Sequence, residues 1–241
     1  MNNYEFSEIY DILMKEVSYN KWSEFIHKKL DGKKDILEIG CGTGEITKRL
    51  GEKNYKITAV EPSENMLVKA YEKLRKIPNI KIMKGDGRSI QMDKKFDAVV
   101  SACDVVNYML KDKDLEDFIV NSWNLLKEDG MIIFDISSYN KLKNILGNNT
   151  FVSEEEGIFY VWENNFVEEK DISEMTLNFF IKDGDSYKRI TEVQSQRAFK
   201  VEKVKEVLEE KGFKDVKIYD DYKDKNIDDE SERIVFTGVR R

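Results

Sequence analysis

The stretch Ile-Leu-Glu-Ile-Gly-Cys-Gly-Thr-Gly-Glu-Ile-Thr at 36–47 sets an acid, Glu38, and three glycines, Gly40, Gly42 and Gly44, at the end of an apolar run. Glycine lets a chain turn tightly and leaves room for a ligand to lie on its backbone. Seventeen residues after Gly44 a second apolar run, 55–60, closes on another acid, Glu61. An acid at the end of the second strand of a βαβ unit is placed to accept from two adjacent ribose hydroxyls. The glycines and Glu61 together predict a nucleoside-containing cofactor.

Two cofactor classes fit poorly. The dinucleotide fingerprint Gly-x-Gly-x-x-Gly needs a third glycine where this chain has Glu45, and a carboxylate opening the helix is a poor neighbour for a pyrophosphate. A phosphate-binding P-loop needs Lys-Ser or Lys-Thr after its glycines, and none follows. Glycine-rich strand–helix turns also occur in α/β folds without any cofactor, so the glycines alone do not decide.

The ordered series of motifs resembles the class I S-adenosylmethionine-dependent methyltransferases. Their first motif, an acid followed by Gly-x-Gly-x-Gly, is matched by Glu38, Gly40, Gly42 and Gly44. Glu61, within Glu-Pro-Ser-Glu-Asn-Met-Leu, matches the ribose-binding acid; Asp86, in Gly-Asp-Gly-Arg, matches the acid that reaches the adenine amino group. Gly-Asp-Gly is also ordinary turn chemistry, and its spacing from Glu61 is what singles it out. Strand four then reads Phe-Asp-Ala-Val-Val (96–100), and strand five, Met-Ile-Ile-Phe-Asp (131–135), follows Leu-Leu-Lys-Glu-Asp-Gly. The resemblance implies a Rossmann-like, doubly wound, mostly parallel α/β sheet that binds S-adenosylmethionine, with S-adenosylhomocysteine as product. Cys41, Pro62, Met66, Gly87 and Cys103 join the glycines, Glu38, Glu61 and Asp86 as expected cofactor neighbours.

Composition bounds the rest. The 241 residues carry a formal charge of −7, with 36% charged and 40% hydrophobic side chains, as in a globular chain with a sizeable core. No apolar run approaches a transmembrane helix, and the polar, acidic N-terminus is no secretory signal, so a cytoplasmic protein is expected. Lysines are interleaved with acids, as in 200–211, which reads as solvated helix surface and makes a nucleic-acid partner unlikely. A single histidine, His27, and two cysteines leave no His-based metal site and no disulfide framework, so no metal is expected. His27, beside two lysines near a helix end, reads as a surface residue, and Cys41 and Cys103 as reduced thiols beside the cofactor.

Residues 5–30 carry apolar side chains at helical spacing and predict one or two helices. The segment 8–22 resembles the N-terminal helices of a bacterial small-molecule subgroup of the same methyltransferases, where this cap folds over the cofactor and turns tyrosines inward. The resemblance makes Tyr10 and Tyr19 cofactor contacts. Strands and helices alternate over 33–138, with helices expected at 63–76 and 114–127. Over 150–199 the helical period disappears, and aromatic, β-branched runs with Asp183-Gly184 between two of them predict an inserted antiparallel sheet. Its Trp162, Phe180 and Tyr187 form either one wall of a substrate cleft or the insertion's own small core. A helix from 201, a strand at 213–219 and one at 233–239 complete the chain, with an acidic, mobile loop at 220–232. The expected division is a cofactor-binding domain over 1–149 and 200–241, residues 1–30 being its helical cap, and an inserted subdomain over 150–199.

Methyl transfer from a sulfonium is an in-line displacement that needs an aligned nucleophile and a dry site rather than a metal. The segment 101–108 follows strand four, where the resemblance implies that the methyl meets its acceptor. Asp104 and Tyr108 are the candidate bases, with Asp104 alternatively a helix cap. Asn107, Tyr108 and Trp162 are the candidate substrate contacts. The expected function is methyl transfer to an N or O nucleophile of a small molecule by a monomer or homodimer. A protein or tRNA methyltransferase and a non-catalytic S-adenosylmethionine-binding protein are the alternatives, and Glu45 disfavours a nicotinamide oxidoreductase.

Overall fold

The computed structural model describes residues 3–241, and side chains from Phe6 onward. Residues 1 and 2, where the expected cap begins, lie outside the described residues. Two helices, α1 (Asn3–Leu13) and α2 (Tyr19–Lys29), precede β1 (Asp35–Ile39). Alternation follows with α3 (Glu45–Glu52), β2 (Lys56–Glu61), α4 (Glu64–Leu74), β3 (Ile80–Lys84), β4 (Phe96–Ser101), α5 (Asp112–Leu125) and β5 (Leu126–Ser137). The inserted strands are β6 (Thr150–Glu155), β7 (Ile158–Val167), β8 (Ile172–Asp183) and β9 (Ser186–Arg197). The chain closes with α6 (Val201–Glu210), β10 (Phe213–Asp220) and β11 (Arg233–Arg240).

The central sheet runs β10-β11-β5-β4-β1-β2-β3. β1 to β5 pair in parallel, and β11 enters antiparallel between β5 and β10. Strands covered on both faces must be apolar on both, and β1 shows it. Leu37 and Ile39 pack towards α5 and α6, while Ile36 packs with Ile26 of α2 and Leu50 of α3 on the other face. Each such aliphatic side chain contributes about 1.5–3 kcal/mol by leaving water.

Local chemistry shifts the boundaries. Ser63 is the N-cap of α4, its Oγ accepting from the Met66 N–H at 3.4 Å, so that helix covers less of 63–76 than expected. α5 lies two residues earlier than 114–127, because the backbone passes from Leu125 straight into β5; Gly130, expected beyond a helix end, sits inside that strand. The inserted sheet has four strands in the order β6-β7-β8-β9, one more than the three apolar runs suggested. Thr-Phe-Val-Ser-Glu-Glu of β6 is too polar to announce itself, yet it pairs along its whole length with β7.

The loop after β10 is not the free segment its acidity suggested. Tyr222 is buried, stacks on Trp22 with ring centroids 5.0 Å apart, and donates from its hydroxyl to Asp135 Oδ1 at 2.8 Å. Asp224 pairs with Lys28 and Lys29 of α2, and Lys225 with Asp220 and Asp228. The loop's negative charge is thereby tied to the cap.

Candidate active site

The glycine turn forms because β1 must stop and α3 must start within five residues. Gly40 N–H and Cys41 N–H both donate to the Val60 carbonyl, at 2.8 and 3.1 Å, which folds the turn against the end of β2. Gly40 has φ +73°, and a Cβ there would lie 2.5 Å from a Val105 methyl. Gly42 has φ +54° with open space where its Cβ would be, so the turn presents bare backbone to a ligand. Gly44, also left-handed, caps α3. At the end of β3, a Cβ on Gly87 would collide with Ile39, so the loop carrying Asp86 lies hard against β1.

Glu61 ends β2 buried and pre-oriented. Its Oε2 accepts from the Gly42 N–H and its Oε1 from the Ser63 N–H, both at 3.0 Å. Burial raises its pKa while the two backbone donors pull it down. Pro62 is exposed, and Met66 packs where α1 meets the inserted sheet. Glu38 is 2% exposed and its Oε2 has no hydrogen-bond partner. Burial pushes that carboxyl up to about 7. Asp86 is half-buried and clasped by the Arg88 guanidinium, which holds its carboxyl below the usual range.

The cap closes over this turn through charge. Asp11 of α1 accepts from Thr43 Oγ1 at 2.6 Å and from Lys73 Nζ at 2.8 Å. Glu45 pairs with both Lys73 and Arg49. Burial opposes its charge, yet those two cations keep its carboxyl low. Its neutralisation by two cations removes the simple electrostatic argument against a pyrophosphate at this helix. Tyr19 lies buried under Arg49, whose Cζ is 5.5 Å from the ring centroid. A cavity of about 400 Å³ runs along the seam, lined by Asp11, Ser18, Tyr19, Asn20, Glu45 and Arg49 among others. Tyr10 reaches the other end of the site, its hydroxyl 4.0 Å from Cys103 Sγ. Burial, above all, raises the pKa of Tyr10 and of both thiols, Cys41 and Cys103.

At the end of β4 the chain turns left-handed twice running, at Cys103 (φ +69°) and Asp104 (φ +52°), and then makes a 3-10 turn over Val105–Tyr108. Adjacent non-glycine residues in that region carry backbone strain. The surroundings hold it: the Asp104 N–H donates to Asp135 Oδ2 at 3.1 Å. The Asp104 carboxylate does not cap the turn. Its Oδ2 accepts from Gln196 Nε2 at 2.7 Å and its Oδ1 from Arg233 at 3.1 Å. Arg233 also bonds the fully buried Asp135 and lies over the Trp22 ring, 4.5 Å from its centroid. Burial opposes ionisation of Asp104, but Arg233 and Gln196 hold its carboxyl below the usual range. For Asp135 burial wins, and its pKa is raised.

Three readings of individual residues need correction. Asn107 is completely buried, and its amide is spent on backbone: Nδ2 donates to the Ser137 and Arg197 carbonyls, and Oδ1 accepts from the Ser137 N–H. It links β5 to β9 and has little left for a substrate. Tyr108 is 47% exposed, and its hydroxyl donates to Gln194 Oε1 at 2.8 Å. Burial, with the Asp104 carboxylate nearby, raises its pKa, which works against a role as base. Phe180 and Tyr187 share the face of Arg189, opposite to Trp162, and cannot line a cleft with it. His27 is exposed as expected and bonds the Tyr55 hydroxyl through Nδ1 at 2.7 Å.

Arg233, Tyr222, Trp22 and Gln196 complete the Asp104 environment and were not singled out from sequence. The signal for Gln196 is readable in Glu192-Val-Gln194-Ser-Gln196, a polar residue at every second position of a strand. Arg233 and Tyr222 left no signal, because one follows and the other lies within a loop whose composition looks solvated.

A nucleoside cofactor fits these residues: bare backbone at Gly42, a buried carboxylate at Glu61 held by two N–H donors, and an unpartnered Glu38 oxygen behind the turn. Among the described residues no cluster of His, Cys, Asp and Glu could hold a metal ion. No described helix is long and apolar enough to cross a membrane. Fold and site together define an α/β protein that binds a nucleoside cofactor at the carboxyl ends of parallel strands.

The comparisons with known proteins narrow this class. A family model described as a methyltransferase domain matches residues 36–130. YqeM of Bacillus subtilis (strain 168), a protein assigned as a methyltransferase, is 34% identical over 233 residues, covering 96% of this chain and 94% of its own. The crystal structure of an S-adenosylmethionine-dependent methyltransferase from Clostridium acetobutylicum ATCC 824 superimposes with a TM-score of 0.89 at 35% identity, covering 98% of both chains. The sugar N-methyltransferase KedS8 from Streptoalloteichus sp. ATCC 53650 shares the fold at 21% identity, with a TM-score of 0.79 over 96% of this chain and 92% of its own. The chain belongs to the class I S-adenosylmethionine-dependent methyltransferases, enzymes whose cofactor is S-adenosylmethionine.

Proposed function

We propose that this methyltransferase acts on an N or O nucleophile of a small molecule, held beneath the inserted sheet and beside Asp104. The observation that carries the reading is the Asp104 carboxylate, kept ionised by Arg233 and Gln196 at the end of β4 and roofed by β9. An anion fixed there suits an acceptor that arrives carrying a proton and must lose it. The name of KedS8, a protein of the same fold, gives a sugar nitrogen as its acceptor, which is consistent with this choice.

When bound, S-adenosylmethionine supplies a methyl on a sulfonium, and the electron pair of the breaking S–C bond stays on sulfur. Glu61 would accept from the ribose hydroxyls while Gly42 holds its carboxylate in place. Gly40, Cys41 and Gly44 would shape the turn beneath, Glu38 backing it. Met66, Asp86 and Gly87 would flank the adenine, and Tyr10, Tyr19 and Cys103 the methyl-donating end. Asp104 would orient the acceptor so that its lone pair lies in line, and would receive or pass on the proton released once the new bond has formed. Alignment in a dry site contributes up to about 7–11 kcal/mol in well-oriented systems.

The test is transfer of labelled methyl from S-adenosylmethionine to a pool of small metabolites. We expect a labelled product below the size of a peptide, and a fall of about 100-fold in its formation in Asp104→Asn. S-adenosylhomocysteine affinity should stay within about threefold, as Asp104 is placed on the acceptor side. Label appearing only in protein or RNA would overturn the reading.

A further inference from the structure

Gln194 and Gln196 turn one face of the inserted sheet towards Tyr108 and Asp104, and the strand register shows what the opposite face carries. Across β6, β7, β8 and β9, Glu154, Phe159, Phe180 and Arg189 form one row of that outer face. Val152, Val161, Asn178 and Thr191 form the next, and Thr150, Glu163, Thr176 and Val193 a third. The face is rich in apolar groups yet open: Phe159 is 37% exposed, Val193 55% and Val152 58%. Phe159 and Phe180 lie side by side, ring centroids 5.9 Å apart. The Arg189 guanidinium is held on the same face, its Nε and Nη2 both donating to Asn178 Oδ1, at 3.1 and 2.7 Å.

Exposed apolar side chains that are contiguous and rimmed by polar ones mark a surface that meets another protein. The first row is also self-complementary: it begins in a carboxylate, ends in a guanidinium and is aromatic between. Two identical sheets packed face to face about a two-fold axis parallel to their strands present each row to itself in reverse order. Glu154 then faces Arg189 of the second copy, and Phe159 faces Phe180. Val152 meets Thr191 and Glu163 meets Thr176, so none of the three rows sets like charges opposite each other. An axis across the strands keeps β6 over β6, and Glu154 and Arg189 never meet. Strands stay nearly aligned about the first axis, as in sheet-on-sheet packing about 10 Å apart. Four strands about 4.8 Å apart and about 30 Å long offer roughly 600 Å² a copy. The pair buries about 1,200 Å², above the roughly 1,000 Å² that a specific interface clears.

We propose that this outer face is a homodimer interface, in which two inserted sheets pack face to face about an axis parallel to their strands. The occupant is a second copy of this chain, because the row supplies its own complement in both charge and shape. The inserted sheet then works on both sides: its inner face bonds Asp104 and Tyr108, and its outer face binds its twin. The interface is independent of which acceptor is methylated.

Sedimentation equilibrium at micromolar concentration should give a species of twice the mass of the 28.3 kDa chain. Glu154→Arg and Arg189→Glu should each raise the dimer Kd at least about tenfold, because each sets like charges face to face. Combined in one chain, they should bring it back to within about threefold of wild type, since the row is then reversed but still self-complementary. Both side chains are exposed, and unchanged far-ultraviolet circular dichroism will show that the variants fold. A second arm reads the axis. Glu154→Cys and Arg189→Cys in separate copies should be joined, when mixed, by a bis-maleimide spanning about 10 Å, the separation of packed sheets. Neither variant alone should cross-link to itself. A monomeric wild type, a dimer indifferent to the single variants, or a double variant as weak as the singles would overturn the interface. So would self-cross-linking of Glu154→Cys, the result expected if two copies met edge to edge through β6.

Discussion

At the scale of single residues, two carboxylates near the glycine turn are buried for different ends, and each can be tested on its own. Glu61 is held by two backbone N–H groups, which leaves its outer lone pairs aimed rather than floppy. Glu61→Ala should weaken S-adenosylhomocysteine binding by about 10- to 100-fold in calorimetry, since hydrogen bonds to a charged group contribute roughly 1.5–3 kcal/mol. Unchanged affinity would sink its assignment to the ribose. Glu38 has no backbone donors of that kind, and burial, only partly offset by Thr47, pushes it up to about 7. An unfolded chain releases that proton near the ordinary glutamate value, whereas the folded one keeps it until about 7. The folded state therefore binds more protons between those limits, and stability falls as pH rises through them. Wild type should lose up to about 3 kcal/mol between pH 5 and 8 relative to Glu38→Gln, read as diverging melting curves. Parallel curves would mean that the carboxyl is solvated or paired.

At the scale of elements, the loop 221–232 acts as a strut. Tyr222 fills the space between Trp22 of the cap and Asp135 of β5, and its hydroxyl supplies a donor to a carboxylate that has no water to turn to. Tyr222→Phe keeps the stacked ring and removes only that donor, so it should cost about 1–3 kcal/mol in denaturant unfolding. Tyr222→Ala should also expose the loop to a protease, with new cuts inside 221–232. Unchanged digestion would show that Asp224 and its lysines suffice to hold it. The parallel strands were legible in sequence because burial on both faces writes an apolar run, as in Ile36–Ile39 and Phe96–Val100. The strut was not, because an acidic loop pinned by lysines from a distant helix has the composition of one that floats. The same blindness covers Asn107: a polar residue after strand four looks like a substrate contact, and only the fold shows its amide consumed by Ser137 and Arg197 backbone.

At the scale of the whole molecule, three segments far apart in sequence meet at one guanidinium. Arg233 of β11 touches Trp22 of the cap, Asp104 after β4 and Asp135 of β5, while Gln196 of the inserted sheet meets Asp104 from above. Cofactor binding should therefore be felt as global stability rather than as a local change. S-adenosylhomocysteine at 100 times its Kd should stabilise the fold by about 2.7 kcal/mol and raise the melting temperature by roughly 5–10 °C. NAD at equal concentration should not; the reverse result would overturn the cofactor. One contact also constrains how such a protein can change over generations. The space that a Cβ on Gly40 would need is filled by Val105, so the glycine turn after β1 and the segment after β4 share a wall one methyl thick. Neither side can be redrawn without the other.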